Sequence, residues 1–383
     1  MADFTFRISP NIILGSYTAS RLGQFALDYG NRFMLIMDPV LRAVGLAEKI
    51  TQSLTDRNVD YFVFDELSEI ADTKTVAAAL ELARKSHIHG VIAAGGGKTM
   101  NVARAVCSLF YENQDIYDYT DGRISEKEPL PLITLATTCR EPFIFTDKIP
   151  LVDSRNSQCV LFKAHNALCK IAVFDPNMSV TLTENQSESM ALEALCFASE
   201  AYLSQKATFF SDMFAEKAVE LLNCAMNGTN SLNVTAPQEE LLVQGGCMAS
   251  LAAATSSFGP ATLLALTINA RFKISRSLVA AILLPHVLED CTKFKTAKVA
   301  RIAELFSTEK AEDSTPEKLC QNFAETIRQR MAKMNLPTRL KDLSVTIEQL
   351  SLAAENAGRL EYANSLPRSM TSDDLFDLIK AAF

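Results

Sequence analysis

Short apolar runs alternate with helix-length amphipathic stretches through the first 176 residues. Phe33 to Met37, Tyr61 to Phe64, Val91 to Ala94, Leu132 to Leu135 and Ile171 to Phe174 each read as a buried strand. Strands separated by helical segments imply βα units and a mainly parallel sheet. Beyond Asp175-Pro176 the period changes. Thr183 and Gln186 have the spacing of a capping box, and Met190 to Ser204, Pro237 to Ser256 and Thr296 to Phe306 are too long and too rich in Ala and Leu for strands. The pattern predicts a Rossmann-like α/β domain over 1–181 and an all-helical domain over 182–383. No internal repeat or low-complexity segment interrupts it.

Composition agrees with two ordinary cores, since the chain has 383 residues, 48% of them hydrophobic and 21% charged. No stretch of about eighteen uninterrupted apolar residues is present, and Met1-Ala2-Asp3-Phe4 lacks the basic and apolar regions of a signal peptide, so a cytoplasmic protein with no membrane partner is expected. The nine cysteines are scattered singly, mostly within apolar or helical runs such as Leu195-Cys196-Phe197, which favours reduced thiols. A net charge of -8 without a basic cluster argues against nucleic acid.

The strongest local signal is Val91-Ile92-Ala93-Ala94-Gly95-Gly96-Gly97-Lys98-Thr99, a strand entering three glycines and then a helix from Met100 to Phe110. Backbone amides at such a helix start can approach a phosphate, so a diphosphate site is one reading; a tight turn for close strand-to-helix packing is the other. The Gly97-Lys98-Thr99 ending is not a P-loop, because Ile92 stands where that motif needs glycine. Asp38 closes the early strand Leu35-Ile36-Met37, where dinucleotide folds hold a ribose hydroxyl, which would favour NAD over NADP; it also suits a capping Asp before Pro39. His87 and His89, flanking Ile88, make a possible metal pair or two surface histidines, and His286 reads as a core histidine.

In order and spacing, several segments resemble the iron-containing alcohol dehydrogenase family, which includes glycerol dehydrogenase and is related more distantly to dehydroquinate synthase. They are Ile8-Ser9-Pro10-Asn11-Ile12-Ile13-Leu14-Gly15, similar to the family's opening strand, then Asp38-Pro39, Gly45-Leu46 and the glycine turn, spelt as in glycerol dehydrogenase. Asp175-Pro176, Glu200-Ala201-Tyr202-Leu203-Ser204 and Leu283-Leu284-Pro285-His286-Val287-Leu288-Glu289 complete the set. The resemblance spans nearly the whole chain. It implies NAD bound by the α/β domain, through Asp38, Gly95, Gly96, Gly97, Lys98, Thr99, Asn101, Thr137 and Thr138. It also implies a divalent metal (Fe or Zn) held by the helical domain in the cleft between the two, a small alcohol or aldehyde substrate, and self-association into a homo-oligomer.

Against the family's pattern the metal positions are altered. Where that family places one Asp and three His, this chain has Glu193, Phe197, Thr262 and Arg276, and a further family His near the substrate is matched by Leu266. One carboxylate is not a site for Fe or Zn, so Thr262 and water would have to make up the deficit, and a metal is not expected to bind. Arg276 either pairs with Glu193, putting a fixed cation where the ion would sit, or points to solvent; if paired, its guanidinium could polarise a carbonyl or hold an acidic metabolite. Lys163 matches a lysine near the family's cofactor cleft, or is a surface lysine.

The family's Thr-Thr-x-Gly-Thr-Gly-Ser-Glu loop reads Thr137-Thr138-Cys139-Arg140-Glu141-Pro142-Phe143-Ile144, adding bulk and restricting φ where backbone should lie near NAD. Cys139 beside Arg140, and Cys196, are candidate nucleophiles or packing residues. Three functions follow: an NAD-linked oxidoreductase with an altered or absent metal centre, a non-catalytic relative that binds a nucleotide or metabolite or serves as a structural subunit, and a dehydroquinate synthase-like lyase relying on Glu193.

Overall fold

Apolar runs with no polar alternation mark strands covered on both faces, and the computed structural model places them in one parallel sheet. It describes residues 10–166, 169–228, 236–307 and 314–383. Ile8 and Ser9 of the opening motif lie outside them. The strands are β1 (Asn11–Leu14), β2 (Arg32–Met37), β3 (Asp60–Phe64), β4 (Gly90–Gly95), β5 (Leu132–Ala136), β6 (Lys148–Asp153), β7 (Gln158–Lys163) and β8 (Ile171–Phe174). Six of them form a sheet in the order β1-β8-β5-β4-β2-β3, every neighbouring pair parallel, while β6 and β7 form a separate two-stranded sheet. The five strands expected from apolar runs are present within one residue at either end. The β6 and β7 pair was not anticipated, because Gln158 to Lys163 is bounded by polar residues and its burial is patchy.

Two compact units divide the chain: the described residues up to Asn156 together with Val160–Thr181, and Ser157–Cys159 with Leu182–Phe383. In the first, the helices are α1 (Leu22–Leu27), α2 (Val40–Ala43), α3 (Leu46–Thr55), α4 (Thr73–Lys85), α5 (Gly97–Leu109) and α6 (Ile116–Thr120). Alternate strand residues, among them Phe33, Leu35, Ile92, Leu135 and Val173, share one buried cluster with Leu22 and Ile50. Burial of each such Leu or Ile contributes about 1.5–3 kcal/mol. Helix α5 lies against β4, and α4 against α5. From β2 the chain steps outward to β3 and then crosses back to β4 on the other side of β2. The sheet therefore reverses direction between β2 and β4, where open α/β sheets bind ligands at the carboxyl ends of their strands.

The second unit contains α7 (Glu184–Leu203), α8 (Phe209–Asn227), α9 (Gln238–Thr255), α10 (Pro260–Phe272), α11 (Arg276–Phe306), α12 (Pro316–Lys333), α13 (Ile347–Arg359) and α14 (Ser372–Ala382). The capping box expected at Thr183 is formed: the Thr183 amide donates to Gln186 Oε1 at 2.9 Å and the Gln186 amide to Thr183 Oγ1 at 3.2 Å. The helix expected over Thr296 to Phe306 is the last part of the longer α11, and it begins just after Lys295, whose φ of -134° and ψ of 35° break the helical run. No single helix among the described residues is long and apolar enough to cross a membrane. All nine cysteines are buried.

Asp175, at the carboxyl end of β8, holds the chain after β1 in place. Its carboxylate accepts the Tyr17 amide at 3.2 Å, the Ala19 amide at 2.9 Å and the Asn177 amide at 3.0 Å, and it is almost wholly buried. Replacing Asp175→Ala leaves those amides without their acceptor and is expected to lower unfolding free energy by about 2–3 kcal/mol. Guanidinium unfolding followed by circular dichroism checks this; an unchanged midpoint would show that water replaces the carboxylate at no cost.

Candidate functional site

In the first unit the cofactor candidates from β2 and β4 lie side by side. The Asp38 amide donates to the Ala94 carbonyl at 2.9 Å, extending the β2 and β4 pairing to the strand ends. Its carboxylate accepts the Val40 amide at 3.2 Å and lies 3.4 Å from Lys98 Nζ. Asp38 therefore caps the turn and stands at the sheet's reversal point, and Lys98 adds a countercharge that spacing alone did not show.

The glycine turn is tightly enclosed. A Cβ on Gly95 would lie 2.4 Å from Thr99 Oγ1, which no side chain tolerates, so glycine is required for α5 to begin here. Gly96 is the N-cap of α5 and Gly97 its first residue. Both readings of the turn, close packing and a phosphate cradle, thus remain geometrically compatible. The Thr99 hydroxyl is fully buried with no hydrogen-bond partner among the described residues, and Asn101 is buried one turn into α5.

In the altered loop Arg140 and Glu141 are buried, their side chains 5% and 3% exposed, with Arg140 Nη1 3.6 Å from Glu141 Oε1. Thr137 continues the β4 and β5 pairing through its amide to the Gly95 carbonyl at 3.1 Å, and Thr138 Oγ1 lies 2.7 Å from Glu141 Oε1. The Glu141 carboxylate consequently faces the glycine turn, 3.8 Å from where a Gly96 Cβ would be. Sequence reasoning missed Glu141, and the only signal for it was the substituted loop. Cys139 is buried beside these residues. Lys163 is exposed at the last position of β7. His87 sits in a left-handed turn with φ 49°, and His89 Nδ1 accepts the Asn31 amide at 3.3 Å, so the possible metal pair is two turn and edge residues.

In the second unit, α7 carries Glu193, Cys196, Phe197 and Glu200 at three- and four-residue spacings, hence along one side. Glu193 is completely buried at the start of α11. Its Oε1 accepts from Arg276 Nε at 2.7 Å and its Oε2 from Ser277 Oγ at 2.6 Å. The paired alternative for Arg276 is the one formed, and its side chain is 14% exposed instead of pointing to solvent. Glu200, two turns later, is equally buried at the start of α10. It accepts the Gly259 amide at 3.0 Å, the Ala261 amide at 2.7 Å and the Thr262 hydroxyl at 2.5 Å. Burial pushes its carboxyl up to about 7, opposed by these donors.

Thr262 therefore serves Glu200, so its hydroxyl is engaged there and does not make up the deficit of donors at Glu193. A Cβ on Gly259 would lie 2.5 Å from the Glu200 carboxyl carbon, so the close approach of that acid requires glycine. Ser277 and Gly259 were not singled out by motif, and Glu200 appeared only as the first residue of a resembling segment, with no role assigned to it. Between the two acids Phe197 meets Phe258 edge-on, ring centres 5.9 Å apart, and Phe258 meets Tyr362 at 4.8 Å. Leu266 is buried one turn beyond Thr262. The Cys196 thiol is held well above its usual range by burial and then by Glu200 and Glu193, which disfavours the thiolate that a nucleophile needs. His286 is half-buried, not a core histidine, with Nδ1 3.7 Å from Glu289; burial, then Arg328, pulls its pKa down. Among the described residues no group of three or more His, Cys, Asp or Glu is arranged to hold a metal ion.

Removing one partner of a buried ion pair strands the other charge. Arg276→Met should lower stability by about 3–5 kcal/mol, and the double variant Glu193→Gln with Arg276→Met by clearly less, because no buried charge is left uncompensated. Denaturant unfolding of the wild type, Glu193→Gln, Arg276→Met and the double variant tests the pair, and a double variant as unstable as the sum of its single changes would argue against it.

Residues 9–176 match a family profile described as iron-containing alcohol dehydrogenase, and residues 189–383 match the C-terminal profile of the Fe-containing alcohol dehydrogenase family. The chain is 24% identical over 356 residues to alcohol dehydrogenase 4 of Saccharomyces cerevisiae, covering 93% of this chain and 92% of that protein. It is 22% identical over 379 residues to the NAD-dependent methanol dehydrogenase of Bacillus methanolicus, covering 98% and 99%. A solved 1,3-propanediol oxidoreductase superposes with a TM-score of 0.91 at 21% identity, over 100% of both chains.

Proposed function

The chain belongs to the iron-containing alcohol dehydrogenase family, and on that footing we propose that it is an NAD-linked oxidoreductase of a small alcohol or aldehyde in which the Glu193 and Arg276 pair replaces the family's metal centre. Membership and the relatives' activities support the reaction class; Asp38 and the glycine turn, adjacent at the sheet's reversal point, support the dinucleotide. The observation that carries the metal-free centre is the closed hydrogen bonding of Glu193.

Fe and Zn need several donors converging at about 2.0–2.3 Å. Here one Glu193 oxygen is held by a guanidinium and the other by the Ser277 hydroxyl, Phe197 supplies no donor, and the Thr262 hydroxyl is engaged by Glu200. These residues do not fit a transition metal, so no step is assigned to one. Asp38 and the glycine turn would hold the dinucleotide, which would supply the hydride for a carbonyl carbon, and the developing oxyanion would take a proton that comes ultimately from water. A fixed cation is the protein's means of stabilising that oxyanion, and Arg276 is the candidate for it. The same guanidinium would hold the acid group of a substrate that carries one.

The test is metal analysis beside activity. Purified protein should contain well under one Fe or Zn per chain, and NADH-dependent reduction of short aldehydes should survive exhaustive chelation. Joint replacement of Glu193→Asp, Phe197→His, Thr262→His and Arg276→His should create stoichiometric Zn binding in equilibrium dialysis. One metal per wild-type chain, or activity lost to a chelator and recovered with iron, would sink the proposal.

A further inference from the structure

We propose that Lys98 cancels the bias of Asp38 against a 2′-phosphorylated dinucleotide, so that the first unit accepts NADP as well as NAD. This rests on the dinucleotide reading above and concerns the cofactor preference of the same site. An acid at the end of a strand such as β2 selects the unphosphorylated ribose in two ways. Its oxygens accept from the ribose hydroxyl, and its charge repels a phosphate put in that hydroxyl's place. Both effects are reduced here. Asp38 Oδ1 already accepts the Val40 amide at 3.2 Å, and Oδ2 lies 3.4 Å from the Lys98 ammonium. A unit positive charge at that distance offsets the carboxylate where a phosphate would meet it.

Helix stability does not account for Lys98. It is the second residue of α5, and the leading turn of a helix favours anions, so a cation there works against the helix. Its charge is compact and rides on a flexible four-carbon stem, and its side chain is 31% exposed against 19% for Asp38. Because the pair is open to water, turning Lys98 from the carboxylate to a phosphate dianion strands no buried charge, and Asp38 keeps the Val40 amide. The next strand repeats the arrangement. Asp65 directly follows β3 and lies 2.7 Å from Nε of Arg42, an exposed residue of α2 one turn beyond Asp38. The acid directly following each of these two paired strands thus has its own cation, and a guanidinium suits a phosphate as well as it suits a carboxylate.

Calorimetric titration of NAD+ and of NADP+ into the full chain at one ionic strength decides it, through the ratio of the two dissociation constants. Wild type should bind NADP+ within roughly tenfold of NAD+. Lys98→Met keeps the length of the side chain and removes its charge. It should shift the ratio against NADP+ at least roughly tenfold, the scale of one hydrogen bond to a charged group. Lys98→Arg keeps the charge and should hold the ratio near the wild-type value. Three results would overturn the inference: a wild type that rejects NADP+ more strongly than tenfold, a ratio unmoved by Lys98→Met because both nucleotides change together, or a Lys98→Arg protein that behaves like Lys98→Met. With NAD+ still bound by wild type, each of them leaves the dinucleotide reading standing. No binding of NAD+ or NADP+ by wild type would overturn both.

Discussion

A carboxylate with no exposed surface has to be matched by donors, and α7 buries two of them. Glu193 meets the opening residues of α11 and Glu200 the opening amides of α10, so each acid answers the positive end of a helix while the helix answers the acid. Satisfying both acids fixes the register of three helices at once. Thr262 can reach Glu200 only if α10 starts where Gly259 admits the carboxylate, and Ser277 can reach Glu193 only if α11 starts one residue after Ser275. The oxygens that would be metal ligands are thus employed in holding the helices together, and an ion would have to compete with the fold to obtain them.

What could be read from the chain beforehand follows the range of the interactions. The parallel strands were legible because covering both faces demands continuous apolar runs, and the capping box was legible because its partners are three residues apart. The pairing of Glu193 with Arg276, 83 positions apart, came into view only through the spacing of the resembling motifs. Composition gave no hint of it. Ser277 and Gly259 stayed invisible, and so did the role of Glu200, because nothing local distinguishes a buried Glu that caps a distant helix from an exposed one. Arg140 shows the same limit: in place of glycine it reads only as added bulk, and its pairing with the buried Glu141 becomes visible only in the fold.

The two units share a device. Each candidate ligand-binding charge is already matched by a neighbour: Lys98 faces Asp38, Arg140 faces Glu141, and Arg276 faces Glu193. The pairs differ in what a ligand must overcome. Asp38 and Lys98 are partly exposed and 3.4 Å apart, so water screens them and either can turn to a ribose hydroxyl or a phosphate at little cost. The other two pairs are nearly dry, and separating either would strand a charge in the interior. A ligand that leaves them intact avoids that cost. A metal ion coordinated by Glu193 would have to break the bond to Arg276 Nε, which is the geometric reason for disfavouring any group that must itself be coordinated there.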